Sequence, residues 1–143
     1  MKLVKHLLDT KGRNLLSISP DASVFEAIKL MADKSIGSLV VLDEDGKLIG
    51  IVTERDYARK VIVMDRSSKN TPVREIMTTD VLTTTGEHTV NSCMELMTEK
   101  KVRHLPVVEN DRAIAMVSIG DLVQAIIADQ QEEIEHLEQY ISG

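Results

Sequence analysis

Two rhythms of apolar and polar positions take turns along this chain. In "SVFEAIKLMADKS" the apolar residues Val24, Ala27, Ile28 and Met31 return at helical spacing, and Ser23 with Glu26 has the spacing of a capping box at the start. The next runs, "SLVVL" and "KLIGIV", are short, apolar throughout and joined by the turn "DEDG", which predicts a β-hairpin. "ERDYARKVI" then predicts a second helix. Further on the order returns: "TVNSCMELMTEK" predicts a helix, "HLPVV" and "AIAMV" two strands, and "GDLVQAIIA" another helix. Strands this apolar are usually covered on both faces, so the helices are expected to pack on the sheet.

Superposing the two stretches shows that they are copies. Val24 falls on Val90, Leu30 on Leu96, Met31 on Met97, Leu39 on Leu105 and Val41 on Val107. After a one-residue deletion in the turn, Ile49 falls on Ile114, Val52 on Val117, Thr53 on Ser118 and Asp56 on Asp121. The expected division is 1–70, an N-terminal segment with the first repeat, and 71–143, the second repeat with an acidic C-terminal helix. Between them "DRSSKNTPVREIMTTD" is polar and turn-rich, with Pro72 placed to open a short helical turn. In "DQQEEIEHLEQYISG" Ile134 and Ile141 continue a seven-residue spacing from Ile127, with Leu137 between them. That stripe is expected to pack on the body or on a partner chain. Neither half alone covers its sheet, so one α/β (α+β) body about a pseudo-twofold axis is expected.

Composition narrows the chemistry. The chain has 143 residues, 43% apolar and 28% charged, enough for a core. Only Phe25, Tyr57 and Tyr140 are aromatic, so a flat ligand would be gripped by aliphatic side chains. A net charge of −6 argues against a nucleic-acid groove, which needs a basic face and stacking platforms. Cys93 is the single cysteine, which excludes an internal disulfide and fits a reducing compartment. The opening "MKLVKHLLDTKGR" has no signal-peptide pattern, and no stretch approaches the ~20 apolar residues of a membrane span. The expectation is a cytoplasmic protein.

The junction "VSIGD" draws attention to Gly120, in the first turn of a predicted helix. Glycine there costs on the order of 1 kcal/mol relative to alanine. Its counterpart in the first half is "VTERD". Capping explains part of both motifs: Thr53 and Ser118 precede Asp56 and Asp121 by three residues. Yet Gly120 weakens the helix that a cap supports, and both motifs lie at carboxyl ends of strands, where sheet proteins tend to bind ligands. A carboxylate there accepts both hydroxyls of a ribose diol, while a hydroxyl and helix N-terminal amides face a phosphate. Capping and ligand binding both stand at this point.

The duplicated pattern "G-h-h-T/S-x-x-D" after a hairpin resembles a CBS-domain pair, or Bateman module. "GIVTERD" matches fully, and "AMVSIGD" departs only in having Ala115 for the glycine. With "TPVREIMT" and "VRHLPVV", the chain resembles the small stand-alone bacterial CBS-pair proteins from about Leu16 to Ile127. The resemblance implies two β-α-β-β-α repeats, a flat module that pairs as a homodimer, and adenosyl ligands in clefts between repeats. AMP, ADP and ATP are the foremost, with NAD(H) or another dinucleotide and S-adenosylmethionine as further ligands, and no cofactor is required. Asp56 and Asp121 are implied as ribose ligands, with Thr53 and Ser118 as their hydroxyl partners. Arg103 and His104, followed by Pro106, match the family's basic positions at the start of a repeat's second strand, where phosphates are met. Their first-half equivalents, Gly37 and Ser38, are not basic, so the two clefts are expected to differ in phosphate affinity. Arg55, opposite Gly120, adds a further inequality. Adenine is implied among backbone and aliphatic groups, with Ile36 and Val102 at matched positions and Thr79 and Val81 entering from the strand before the second helix.

Other reactive residues read as structural. Cys93 aligns with Ala27 on a buried helix face, His6, His88 and His136 are scattered without metal-site spacing, and the methionines sit mostly on core positions. "RSSKN" reads as a solvated loop in which Lys69 can reach an acidic ligand. Three functions remain: a non-catalytic sensor of adenine nucleotides, a structural or dimerising module with vestigial clefts, and an enzyme. The last lacks a paired nucleophile and base, a metal set and a Gly-rich phosphate loop. No effector protein can be read from the chain.

Overall fold

The first predicted helix of each repeat ends in the same way, and that end sets where the following strand begins. A computed structural model describes residues 2–13 and 15–142. Helix α1 spans Val4–Lys11, strand β1 Ser17–Ile18 and helix α2 Val24–Lys34. Ser23 Oγ accepts from the Glu26 amide at 3.1 Å, so the amide half of the expected capping box is made. Helix α2 stops at Ser35, which adopts the left-handed conformation (φ 55°), and the Ile36 amide donates back to the Met31 carbonyl at 3.0 Å. Strands β2 (Ser38–Leu42) and β3 (Leu48–Thr53) follow. Then comes helix α3, the single turn Glu54–Tyr57, which widens into a π-helical turn over Ala58–Ile62. A 3-10 turn over Val73–Glu75 begins directly after Pro72. In the second repeat helix α4 spans Val90–Lys100 and ends at Lys101 (φ 57°), with the Val102 amide on the Met97 carbonyl at 3.1 Å. Strands β4 (His104–Glu109) and β5 (Arg112–Ser118) lead into helix α5, Ile119–Ser142.

The described residues form two compact units. One contains the described part of residues 14–82 together with Asn110–Ile114. Its sheet has the order β1-β2-β3, with β1 parallel and β3 antiparallel to β2. Val40 pairs with Ser17 on one side and Ile51 on the other. Leu39, Val40 and Val41 are wholly buried, as expected for a strand covered on both faces. Val24, Ala27 and Met31 of α2 pack there with Val52, Val61, Val73 and Ile76. Beyond β3, Thr78 forms an antiparallel bridge with Ile51.

The other unit contains the described part of residues 1–13, Thr83–Glu109 and the chain from Ala115 onward. Strands β4 and β5 form a two-stranded sheet. Where the repeat predicts a first strand, Thr84 makes a single parallel bridge to Val107. Helix α1 belongs here: the Val4 amide donates to the His88 carbonyl at 2.9 Å, and Val4, Leu7 and Leu8 are buried. The compact units therefore exchange segments relative to a division at residue 70. The apolar face of α1 joins the second repeat, while Thr71, Val73 and Ile76 serve the first. Helix α5 buries Leu122 and Ala125 near its start, but every residue from Gln130 to Ser142 is exposed. The stripe Ile127, Ile134, Leu137 and Ile141 thus does not pack on the body. Among the methionines, Met31 and Met97 fill the core as expected, whereas Met64 is 65% exposed.

Candidate functional site

Each strand-to-helix junction is tied to the residue just ahead of the first strand of its hairpin, β2 or β4. The Glu54 amide donates to the Gly37 carbonyl at 3.1 Å, and at the matching place the Ile119 amide donates to the Arg103 carbonyl at 2.9 Å. These bonds hold Gly37 and Arg103 beside the helix starts. At both junctions the capping boxes are complete. Thr53 Oγ1 accepts from the Asp56 amide at 3.1 Å, and Asp56 Oδ2 accepts from the Thr53 amide at 3.0 Å. Ser118 Oγ accepts from the Asp121 amide at 3.2 Å, and Asp121 Oδ2 from the Ser118 amide at 2.8 Å. Capping is real, but it engages one oxygen of each carboxylate.

The other oxygens distinguish the repeats. Asp56 Oδ1 accepts from Thr78 Oγ1 at 3.2 Å and lies 3.0 Å from the Lys60 ammonium, which also donates to the Ile76 carbonyl at 2.8 Å. Its Oδ2 takes a further bond from Thr53 Oγ1 at 3.1 Å. This carboxylate, with a side chain 11% exposed, is close to saturated with donors. Asp121, at 24%, is more open. Its Oδ2 lies 3.0 Å from the Lys11 ammonium, and its Oδ1 makes no hydrogen bond among the described residues.

Gly50 explains how Thr78 reaches the first site. A Cβ at Gly50 would lie 2.8 Å from Met77 Sδ and 3.1 Å from the Thr78 carbonyl oxygen, so the bare backbone admits that segment beside β3. The second repeat has Ala115 at this place. Gly120 is different: its φ is not in the left-handed region, and among the described residues a Cβ would meet only Ser118 Oγ, at 3.6 Å. None of the described residues crowds it.

The remaining predicted residues surround the two junctions unevenly. Ile36, Gly37, Val102 and His104 are half-buried, Ser38 and Pro106 are buried, and Arg55 and Arg103 lie on the surface. Thr79 is exposed and Val81 half-buried, and neither lies in a strand, contrary to expectation. Thr78, one residue earlier, is the one that touches Asp56. Lys60, Thr78 and Lys11 escape the sequence reading. Lys60 had a signal, its i,i+4 spacing from Asp56; Lys11 had none, because only folding brings α1 to α5. Cys93 is a core residue: burial pushes its thiol pKa upward from 9.0, and Thr84 Oγ1 contacts the sulfur at 3.2 Å. No group of three metal-binding side chains exists among the described residues. No helix among them is long and apolar enough to cross a membrane.

Comparison with known proteins agrees with the fold. The sequence model of the CBS domain family matches residues 4–63 and 73–128. A protein with CBS domains from Burkholderia ambifaria shares 48% identity at a TM-score of 0.86, covering 90% of this chain and 96% of that one. The mitochondrial CBS domain-containing protein CBSX3 of Arabidopsis thaliana is 41% identical over 148 residues, 98% of this chain and 72% of that protein. The CBS domain pair of protein MJ0100, solved with 5′-methylthioadenosine and S-adenosyl-L-methionine, is 27% identical with a TM-score of 0.80, covering 90% of this chain and 98% of that one.

Proposed function

The chain belongs to the CBS domain family, and on that premise we propose that it is a non-catalytic regulatory module binding adenosyl ligands at its strand-to-helix junctions. One observation carries this reading: Asp121 presents a carboxylate whose Oδ1 makes no hydrogen bond among the described residues, at the first turn of a 24-residue helix. A ribose diol donates to that carboxylate, and the amide end of α5 favours a phosphate. The MJ0100 pair, whose structure holds two adenosyl compounds, supports the ligand class. AMP, ADP and ATP are the proposed ligands, with NAD(H) and S-adenosylmethionine as the next to test. Arg103 and His104 are proposed as phosphate partners.

Asp56 is proposed as the weaker site, because a ligand there must displace Thr78 or Lys60. That observation favours the vestigial reading for the first repeat alone. A homodimer in the cytoplasm completes the proposal. The exposed run Ile62, Val63 and Met64 supplies apolar surface for pairing, and the single buried cysteine suits a reducing compartment. No nucleic-acid or membrane partner is proposed.

Thermal melts with AMP, ATP, NADH and S-adenosylmethionine test the function. A ligand that binds the native state raises the melting temperature by an amount growing as RT ln(1 + [L]/Kd). Asp121→Asn is expected to weaken binding by about 1.5–3 kcal/mol, the range for hydrogen bonds to a charged group. Asp56→Asn is expected to change it less. Equal shifts from all four ligands in wild type and Asp121→Asn would refute the proposal.

A further inference from the structure

The two junction carboxylates draw their cations from different places, and the difference begins in the sequence. Asp56 pairs with Lys60, one turn along its own segment, at 3.0 Å. The duplication puts Ala125 where the first repeat has Lys60, so α5 offers Asp121 no cation from that position. Lys11 supplies one from the end of α1, with Nζ 3.0 Å from Asp121 Oδ2 and 2.8 Å from the Met116 carbonyl it donates to. Beside the short Ala125 side chain a cavity of about 120 Å³ opens between α1 and α5, walled by Leu7, Thr10, Lys11, Asp121 and Gln124. It has room for an ammonium head and several waters.

We propose that Lys11 makes the Asp121 site selective for phosphorylated nucleosides over neutral ones. The inference rests on ribose binding at Asp121. A diol that donates to both carboxylate oxygens takes the place of the ammonium on Oδ2. Lys11 carries its charge on a flexible four-carbon stem, and the adjoining cavity gives it space to turn. A ligand phosphate then replaces the anion Lys11 has lost, and the exchange of partners is balanced. Adenosine or a thioether nucleoside brings no anion, so Lys11 competes with it for Asp121. The first repeat does not share this device: both lysines also donate to a backbone carbonyl, but Asp56 Oδ1 already accepts from Thr78, whereas the cavity lies beside Lys11.

Titration calorimetry of the full chain with AMP and with adenosine tests the proposal in wild type, Lys11→Met, Lys11→Gln and Lys11→Arg. Wild type is expected to prefer AMP. Lys11→Met is expected to lose about tenfold or more in AMP affinity while adenosine binds as well or better, and Lys11→Arg is expected to keep the preference. Lys11→Gln serves as the neutral variant if the methionine protein does not fold. Equal losses for both ligands would mean that Lys11 only pins α1 to α5, and would overturn the proposal, as would unchanged AMP binding. Wild type that binds neither ligand, or Asp121→Asn that binds both normally, would overturn ribose binding at Asp121 and this inference with it. The Asp121→Asn control therefore separates the two failures.

Discussion

Replacing Gly120 by alanine asks whether the glycine serves the fold or a ligand. Among the described residues the added methyl meets only Ser118 Oγ at 3.6 Å, an ordinary contact, and the backbone is not in a conformation reserved for glycine. The free protein therefore gains helix propensity without strain, about 0.5–1 kcal/mol at this position in the first turn. For a chain of 143 residues the unfolding entropy is on the order of 0.3 kcal/mol/K, so the unliganded melting temperature is expected to rise by about 2–3 °C. The same methyl occupies open space beside Asp121. If a ligand approaches the backbone there, AMP affinity should fall by about tenfold, equivalent to ~1.4 kcal/mol. Differential scanning calorimetry without ligand and titration calorimetry with AMP measure the two effects separately. A drop in melting temperature would refute the reading of an unstrained glycine. A stabilised variant with unchanged AMP binding would refute the idea that a ligand needs the room.

Three further expectations follow from the same geometry. Gly50→Ala should destabilise the protein by about 1–3 kcal/mol in denaturant melts, because its methyl collides with Met77 and the Thr78 backbone; wild-type stability would mean that the 77–78 segment moves aside freely. Arg103→Ala removes an exposed cation whose backbone carbonyl, bonded to Ile119, is retained, so AMP affinity should fall by about 1.5–3 kcal/mol while adenosine affinity changes little. Equal losses would assign Arg103 to local structure. Cys93 is 2% exposed and its thiol pKa is raised by burial, so a thiol reagent at pH 8 should label it only after unfolding. Because the unfolded thiol ionises first, stability from this group is complete below its ordinary pKa of 9.0 and declines as pH rises toward the higher folded value. Rapid labelling of the folded protein would refute that account.

Much of the architecture was legible in the sequence because it follows from local spacing. The 3.6-residue period of Val24, Ala27 and Met31 and the unbroken apolar run of β2 identify buried faces whatever they pack against. The duplication, by aligning Asp56 with Asp121, marks both junctions in the sequence itself. Capping at Thr53 and Ser118 was also readable, since its partners are three residues apart.

What only the tertiary structure decided are interactions between residues remote in sequence. No periodicity announces that Lys11 meets Asp121, that Thr78 closes over Asp56, or that α1 packs with the second repeat. The acidic end of α5 shows the same limit from the other side: its apolar spacing was visible, but nothing local determines whether a surface finds a partner, and here it stays exposed. Two aspartates equivalent in sequence thus differ in chemistry. One is closed by Thr78 and a lysine on its own segment; the other pairs with Lys11 from a distant helix beside an open cavity. A carboxylate's donors and solvent access are properties of its surroundings, and those surroundings exist only once the chain has packed.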